Sequence, residues 1–103
     1  MVKYSFSKEI GVIAKNSKFF FQRVADRKLS DIYHSHDFYE ITAVCKGSGT
    51  HLINGEKIQQ FEGDIVFLRP DDCHSFVKQS ADIIMISFSI EKREFEKMAD
   101  VFS

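Results

Sequence analysis

Asn54-Gly55 sits between two short strand-like runs, Thr50 to Ile53 and Lys57 to Phe61, and this pairing constrains the fold more than any other stretch. A type I′ turn needs positive φ at both central residues, and Asn followed by Gly meets that demand. The same punctuation recurs along the chain. Gly47-Ser48-Gly49 breaks an apolar run from Phe38 to Lys46, and Glu62-Gly63-Asp64 precedes a buried-type run from Ile65 to Leu68. Lys18 to Val24, His74 to Lys78 and Ile83 to Ser89 complete the series, and the only proline lies in the loop Arg69 to Cys73. Short runs divided by turn residues predict an all-β barrel or sandwich. Only the tail departs from this pattern. From Glu91 onward Phe95, Met98, Ala99 and Phe102 recur at helical spacing, with Ser89 available as the N-cap. Residues 1 to 16 are weakly patterned and read as an arm or an edge strand.

Length and composition agree with one packed domain spanning residues 1–103. A chain of this size buries roughly 65% of the surface exposed when unfolded. An apolar fraction of 44% with eleven Phe excludes a disordered or collagen-like chain. The net charge is −1, and the 14 Lys and Arg are scattered from Lys3 to Lys97, so no basic footprint for nucleic acid is present. No apolar run approaches the ~20 residues that span a bilayer, and Lys3, Lys8 and Glu9 interrupt any signal-like stretch. A cytoplasmic protein without a membrane partner is expected. Cys45 and Cys73 lack C-x-x-C spacing and are expected to be core or near-core thiols in a reducing compartment.

Chemistry concentrates in the histidines. Of four in the chain, three are His34, His36 and His74, and Glu40 follows His36 by four residues. Alternate side chains of an extended segment share a face, so His34 and His36 can present both imidazoles to one spot. A straight strand would carry Glu40 about 13 Å beyond His36, so the chain must bend near Asp37 for the two to meet. Three imidazoles and a carboxylate suit Fe, Mn, Ni, Cu or Zn. The same four side chains can instead line a polar pocket without metal, with Glu40 paired to a histidine. Taken alone, the His-x-His spacing is most simply a pair of partly exposed residues on an edge strand.

The intervals carry more. His34-x-His36-x(3)-Glu40-x(6)-Gly47 resembles the first motif of the cupin superfamily, and Gly63 to His74 has the overall spacing of the second. Pro70 stands one residue later than usual there, Asp72 lies near the place of a glycine, and Lys78 replaces a closing Asn. The run from His34 to Phe76 is similar to the N-terminal sensory domain of AraC-type transcription regulators. It has their H-x-H-x-x-x-E opening, the Gly47-to-Gly49 turn, the Ile53-Asn54-Gly55 hairpin, the Gly63-Asp64-Ile65 strand start and the Pro70-to-His74 loop. The resemblance covers roughly residues 18 to 90. It implies a double-stranded β-helix, or jelly-roll, barrel over those residues, followed by the start of a C-terminal helix at about 90–102. It further implies a homodimer that binds a sugar or another small effector and reaches DNA only through a helix-turn-helix domain lacking from these residues.

Continuing the parity of His34 and His36 places Phe38, Glu40, Thr42 and Val44 on one face, with Tyr39, Ile41, Ala43 and Cys45 on the other. The expected ligand-binding residues are therefore His34, His36, Glu40, Thr42 and His74, with Arg69 added as a weaker member. Arg23, His51 and Arg69 read more simply as exposed or rim residues, and Tyr39 as core. Two functions compete. One is an effector-binding and dimerisation module without catalysis or a resident cofactor. The other is a free-standing, metal-dependent dioxygenase or isomerase whose metal is held by His34, His36, Glu40 and His74.

Overall fold

A computed structural model describes residues 1–6, 17–25 and 32–102. Among them are nine strands and one helix: β1 (Val2–Tyr4), β2 (Phe19–Ala25), β3 (His34–His36), β4 (Tyr39–Lys46), β5 (Ser48–Ile53), β6 (Glu56–Phe61), β7 (Ile65–Leu68), β8 (His74–Gln79), β9 (Ile84–Ile90) and α1 (Lys92–Phe102). They form a five-stranded sheet in the order β1-β3-β8-β5-β6 and a four-stranded sheet in the order β2-β9-β4-β7. Every pairing is antiparallel except β1 with β3. The expected barrel-type, all-β architecture with a short C-terminal helix is present.

Turn chemistry places the strands. Asn54 and Gly55 both adopt positive φ, 48° and 86°, and set the β5–β6 register from Ile53↔Glu56 to Ser48↔Phe61. Gly47 alone, at φ 77°, makes the turn between β4 and β5. Ser48 and Gly49 therefore belong to β5, which starts two residues earlier than the Gly-Ser-Gly sequence suggests. The bend required after His36 occurs at Asp37 and Phe38, where the chain leaves one sheet and enters the other. Asp37 secures that crossing: its N–H donates to the Tyr4 carbonyl at 3.0 Å, and its Oδ1 accepts from Phe6 N–H at 2.9 Å. Within the weakly patterned N-terminus, Val2–Tyr4 is an edge strand beside β3; residues 7–16 lie outside the described residues.

Alternation assigns the faces of β4 as expected. Thr42 and Val44 are buried and Glu40 nearly so, opposite Ser87, Met85 and Ser89 of β9. The outer face carries Tyr39, which stacks on Phe95 of α1 at 4.0 Å between ring centres. Cys45 ends that outer row and is exposed, so it is not the core or near-core thiol expected, whereas Cys73 is half-buried. Ser89 is no helix cap either, because β9 runs on to Ile90 and keeps it buried. Glu91 takes the role, its Oε1 accepting from Glu94 N–H at 3.0 Å.

The apolar interior is divided. Phe76, Ile83 and Met85 form one cluster with Val24 against it. Phe6 and Phe38 form another with Tyr4 and Phe20. His51 stacks on Phe76 and His36 stacks on Phe38, each with ring centres 4.1 Å apart. The two apolar clusters are thus linked through histidines, and this polar layer is the candidate site.

Candidate functional site

Both sheets contribute to the layer. From the five-stranded sheet come His34 and His36 on β3, His51 on β5, Gln60 on β6 and His74 on β8; Glu40 on β4 and Ser87 on β9 come from the other. His34 and His74 are direct cross-strand partners, with ring centres 4.4 Å apart. The crossing at Asp37 lets Glu40 return to His36 although four residues separate them. Glu40 Oε1 lies 3.4 Å from His36 Nε2 and 3.6 Å from His74 Nε2. Its other oxygen, Oε2, accepts a 2.6 Å hydrogen bond from the Ser87 hydroxyl.

Each ring is held from its far side. His36 Nδ1 is 2.9 Å from the Phe38 carbonyl, and His34 Nδ1 is 2.6 Å from that of Ile32. His74 Nδ1 meets His51 Nε2 at 2.8 Å, and His51 Nδ1 meets Gln60 Oε1 at 3.1 Å. With their Nδ1 atoms committed, His36 and His74 turn Nε2 toward Glu40. Neither buried Nε2 has a hydrogen-bond partner. Both contacts to Glu40 are of ion-pair length without hydrogen-bonding geometry.

Burial works against the Glu40 carboxylate, but His36 and the Ser87 hydroxyl, together with His74, outweigh it and hold the group at about 2. The Ser87 bond is the contact with full hydrogen-bond geometry and the firmer of these supports. Burial pushes His74 down to about 3, with the neighbouring histidines adding to that effect and Glu40 opposing it. Burial lowers His51 as well. The site is therefore an ionised carboxylate facing a neutral His74 imidazole.

His36, Glu40 and His74 can bring one ligand atom each within 4.8 Å of one another. His34 lies beside that group, and its ring is not part of it. Thr42 faces inward as expected, 1% exposed, but its Oγ1 accepts from Gln60 Nε2 at 3.2 Å and so belongs to the support beneath the cluster. Arg69 is not brought to the site. Its side chain is 68% exposed and is tied to Asp72 through Nε and Nη2 at 3.3 and 3.2 Å. The proline loop turns it outward, with Asp71 at φ 70° and Asp72 Oδ2 accepting from Arg69 N–H at 2.7 Å. Arg23 is exposed on β2.

His51 is the main correction. It is no rim residue: it is fully buried and bonded to His74. The signal was the Asn54-Gly55 hairpin, whose register places His51 opposite Ile58 and Gln60 opposite Gly49. Gln60 and Ser87 were also missed. Ser87 leaves a faint trace as a hydroxyl between Ile86 and Phe88, in a strand whose other buried members are mostly apolar.

Comparison with known proteins bears on this site. The profile of the AraC-like ligand binding domain family matches residues 19–96. The chain belongs to that family. A 55-residue segment of this AraC-like domain is 38% identical to the HTH-type transcriptional activator RhaR of Escherichia coli (strain K12), covering 52% of this chain and 20% of RhaR. The match thus spans about a fifth of the length of that relative. Among solved structures, an RmlC-like cupin from Shewanella frigidimarina is similar with a TM-score of 0.63 and 21% identity, over 78% of this chain and 73% of that one. A predicted oxalate decarboxylase from Thermotoga maritima gives a TM-score of 0.58 and 23% identity, over 71% and 64% respectively. The AraC-like domain therefore has the cupin fold. No helix among the described residues is long and apolar enough to cross a membrane.

Proposed function

We propose that this domain is the effector-sensing barrel of a transcription regulator, which binds a small polyhydroxylated molecule such as a sugar at His36, Glu40 and His74. The observation that carries this reading is the buried Glu40 carboxylate facing two imidazole nitrogens without hydrogen-bond partners. Groups left in that state are costly unless something completes them. Ligand hydroxyls hydrogen-bonded to Glu40 Oε1 and to the two Nε2 atoms would do so, beside the Phe38 ring stacked on His36. Membership of the AraC-like family supports a binding role over turnover. In this reading the domain acts in the cytoplasm. DNA is contacted by a separate helix-turn-helix segment, and a second copy of the chain packs near the exposed Met98, Val101 and Phe102 of α1.

Calorimetric titration with a panel of aldoses, deoxyaldoses and polyols tests the assignment. One member should bind the wild-type domain. Glu40→Gln should bind it about 10- to 100-fold more weakly, the worth of a charge-assisted hydrogen bond of about 1.5–3 kcal/mol. Undiminished binding by Glu40→Gln would place the ligand elsewhere.

A second reading rests on the same orphaned nitrogens. Two imidazoles and a carboxylate converging within 4.8 Å fit a divalent first-row metal, and each imidazole already has the far-side partner typical of a metal ligand. His36, Glu40 and His74 would hold it, and the bound ion would supply Lewis acidity toward a substrate oxygen. This is the runner-up, an isomerase- or dioxygenase-like cupin. It predicts near-stoichiometric metal by elemental analysis of protein reconstituted with Fe, Mn, Ni, Cu or Zn, lost in His36→Ala; absence of metal after reconstitution refutes it.

A further inference from the structure

The support behind His74 determines what the site can accept. Gln60 Nε2 donates to two backbone carbonyls, Thr42 O at 3.3 Å and Asp64 O at 3.2 Å. Carbonyls only accept, so the amide orientation follows from these partners and Gln60 Oε1 must face His51 Nδ1. An oxygen there requires a hydrogen on His51 Nδ1. His51 is fully buried, stacked on Phe76, and has no carboxylate among its hydrogen-bond partners, so its ring is neutral and its Nε2 carries a lone pair. That lone pair, 2.8 Å from His74 Nδ1, places the second hydrogen on His74 Nδ1. His74 is 5% exposed and its Nε2 meets no hydrogen-bond partner, so this ring too is neutral and its Nε2 is left bare toward Glu40.

The opposite arrangement would leave no bare nitrogen on His74 toward Glu40. With hydrogens on His51 Nε2 and His74 Nε2, His74 would direct a hydrogen toward Glu40 Oε1, but the lone pair of His51 Nδ1 would then face Gln60 Oε1. Gln60, bonded to His51, prevents this.

We propose that Gln60, acting through His51, is the positioning residue that sets the polarity of the cluster, so that it takes only a hydrogen-bond donor or a cation at His74. Building on the sensing role above, this narrows the ligand class to neutral polyols and cationic groups. It excludes ligands that would approach His74 with a carboxylate, a phosphate or a carbonyl oxygen. It also explains why the buried His74 Nε2 has no hydrogen-bond partner beside Glu40: the acceptor is held in place for the ligand.

Two-bond proton–nitrogen correlation spectra of ¹⁵N-labelled protein distinguish the histidine tautomers directly. Wild-type His51 and His74 should both be Nδ1–H. Gln60→Met, similar in length and without an amide, should shift His74 to Nε2–H and weaken Zn²⁺ binding about 10- to 100-fold, with Zn²⁺ as the cationic probe. A wild-type His74 in the Nε2–H form overturns the proposal, and this reading needs no variant to fold. So does a folded Gln60→Met that keeps both tautomers and full Zn²⁺ affinity. The sensing role fails separately. If the wild-type tautomers are as stated and every polyol is inert, the polarity stands and the sugar reading falls; if a sugar binds while His74 is Nε2–H, the reverse holds.

Discussion

Gly47→Ala should destabilise the domain by about 3 kcal/mol, lowering its melting temperature by roughly 10–20 °C, whereas Gly55→Ala should cost only about 1 kcal/mol. Both glycines have positive φ, 77° and 86°, so both substitutions incur the left-handed backbone penalty. Space separates them. A Cβ on Gly55 would meet nothing within 4 Å. A Cβ on Gly47 would stand 2.3 Å from Ser80 Oγ, 2.8 Å from Asp82 Oδ1 and 3.0 Å from the Ile83 Cα. Ser80 cannot simply rotate away without loss, because its hydroxyl accepts from Ser48 N–H at 3.0 Å and so ties β5 to the turn before β9. Ile83 contributes backbone to the clash and side chain to an apolar cluster. Denaturant midpoints of the two variants measure the difference. Equal losses would mean that backbone conformation alone governs Gly47.

Acidification should destabilise the protein from pH 6.5 downward, well before its carboxylates titrate. His74 has its folded value lowered to about 3 from the ordinary 6.5, by burial first. Below pH 6.5 the unfolded chain therefore binds a proton that the folded chain refuses. Its contribution is intact above 6.5 and is lost as pH falls toward 3, at up to about 1.4 kcal/mol per pH unit. His51, lowered by burial too, acts in the same direction. Glu40 continues the trend at lower pH. Held at about 2 against an ordinary 4.5, it favours the fold above 4.5 and loses that contribution between 4.5 and 2. Between pH 7.5 and 5 the wild-type domain should lose about 2 kcal/mol in urea titrations, and His74→Gln should flatten that slope by close to one proton. A wild-type stability unchanged over this range would mean that the buried rings accept protons in the folded state.

The parts of this protein legible in advance are those encoded within a few consecutive residues. Asn54-Gly55, Gly47 and Gly63 specify turns because positive φ is a local demand, and all four residues meet it. Alternation along β4 assigned Glu40, Thr42 and Val44 to one face because side chains of a strand alternate whatever the strand pairs with. The His34-to-Glu40 and Gly63-to-His74 intervals located three of the converging groups through their resemblance to cupin motifs. Arg69 misled because its charge and nearness to Pro70 carry no information about which way the loop turns. Asp72, three residues on, decides that by bonding both the Arg69 backbone and its guanidinium.

Local sequence thus determined the strands and the turns, and it singled out His34, His36, Glu40 and His74 as candidate site residues, the last three of which converge. Only the tertiary structure decided that His51 and Gln60 stand behind His74, that Ser87 holds Glu40, and that His34 lies beside the converging group. The reason is distance along the chain. Gln60 reaches His51 across nine residues, His51 reaches His74 across 23, and Ser87 reaches Glu40 across 47. Contacts of that span depend on sheet order, cross-strand register and the crossing at Asp37, none of which is written in any single segment.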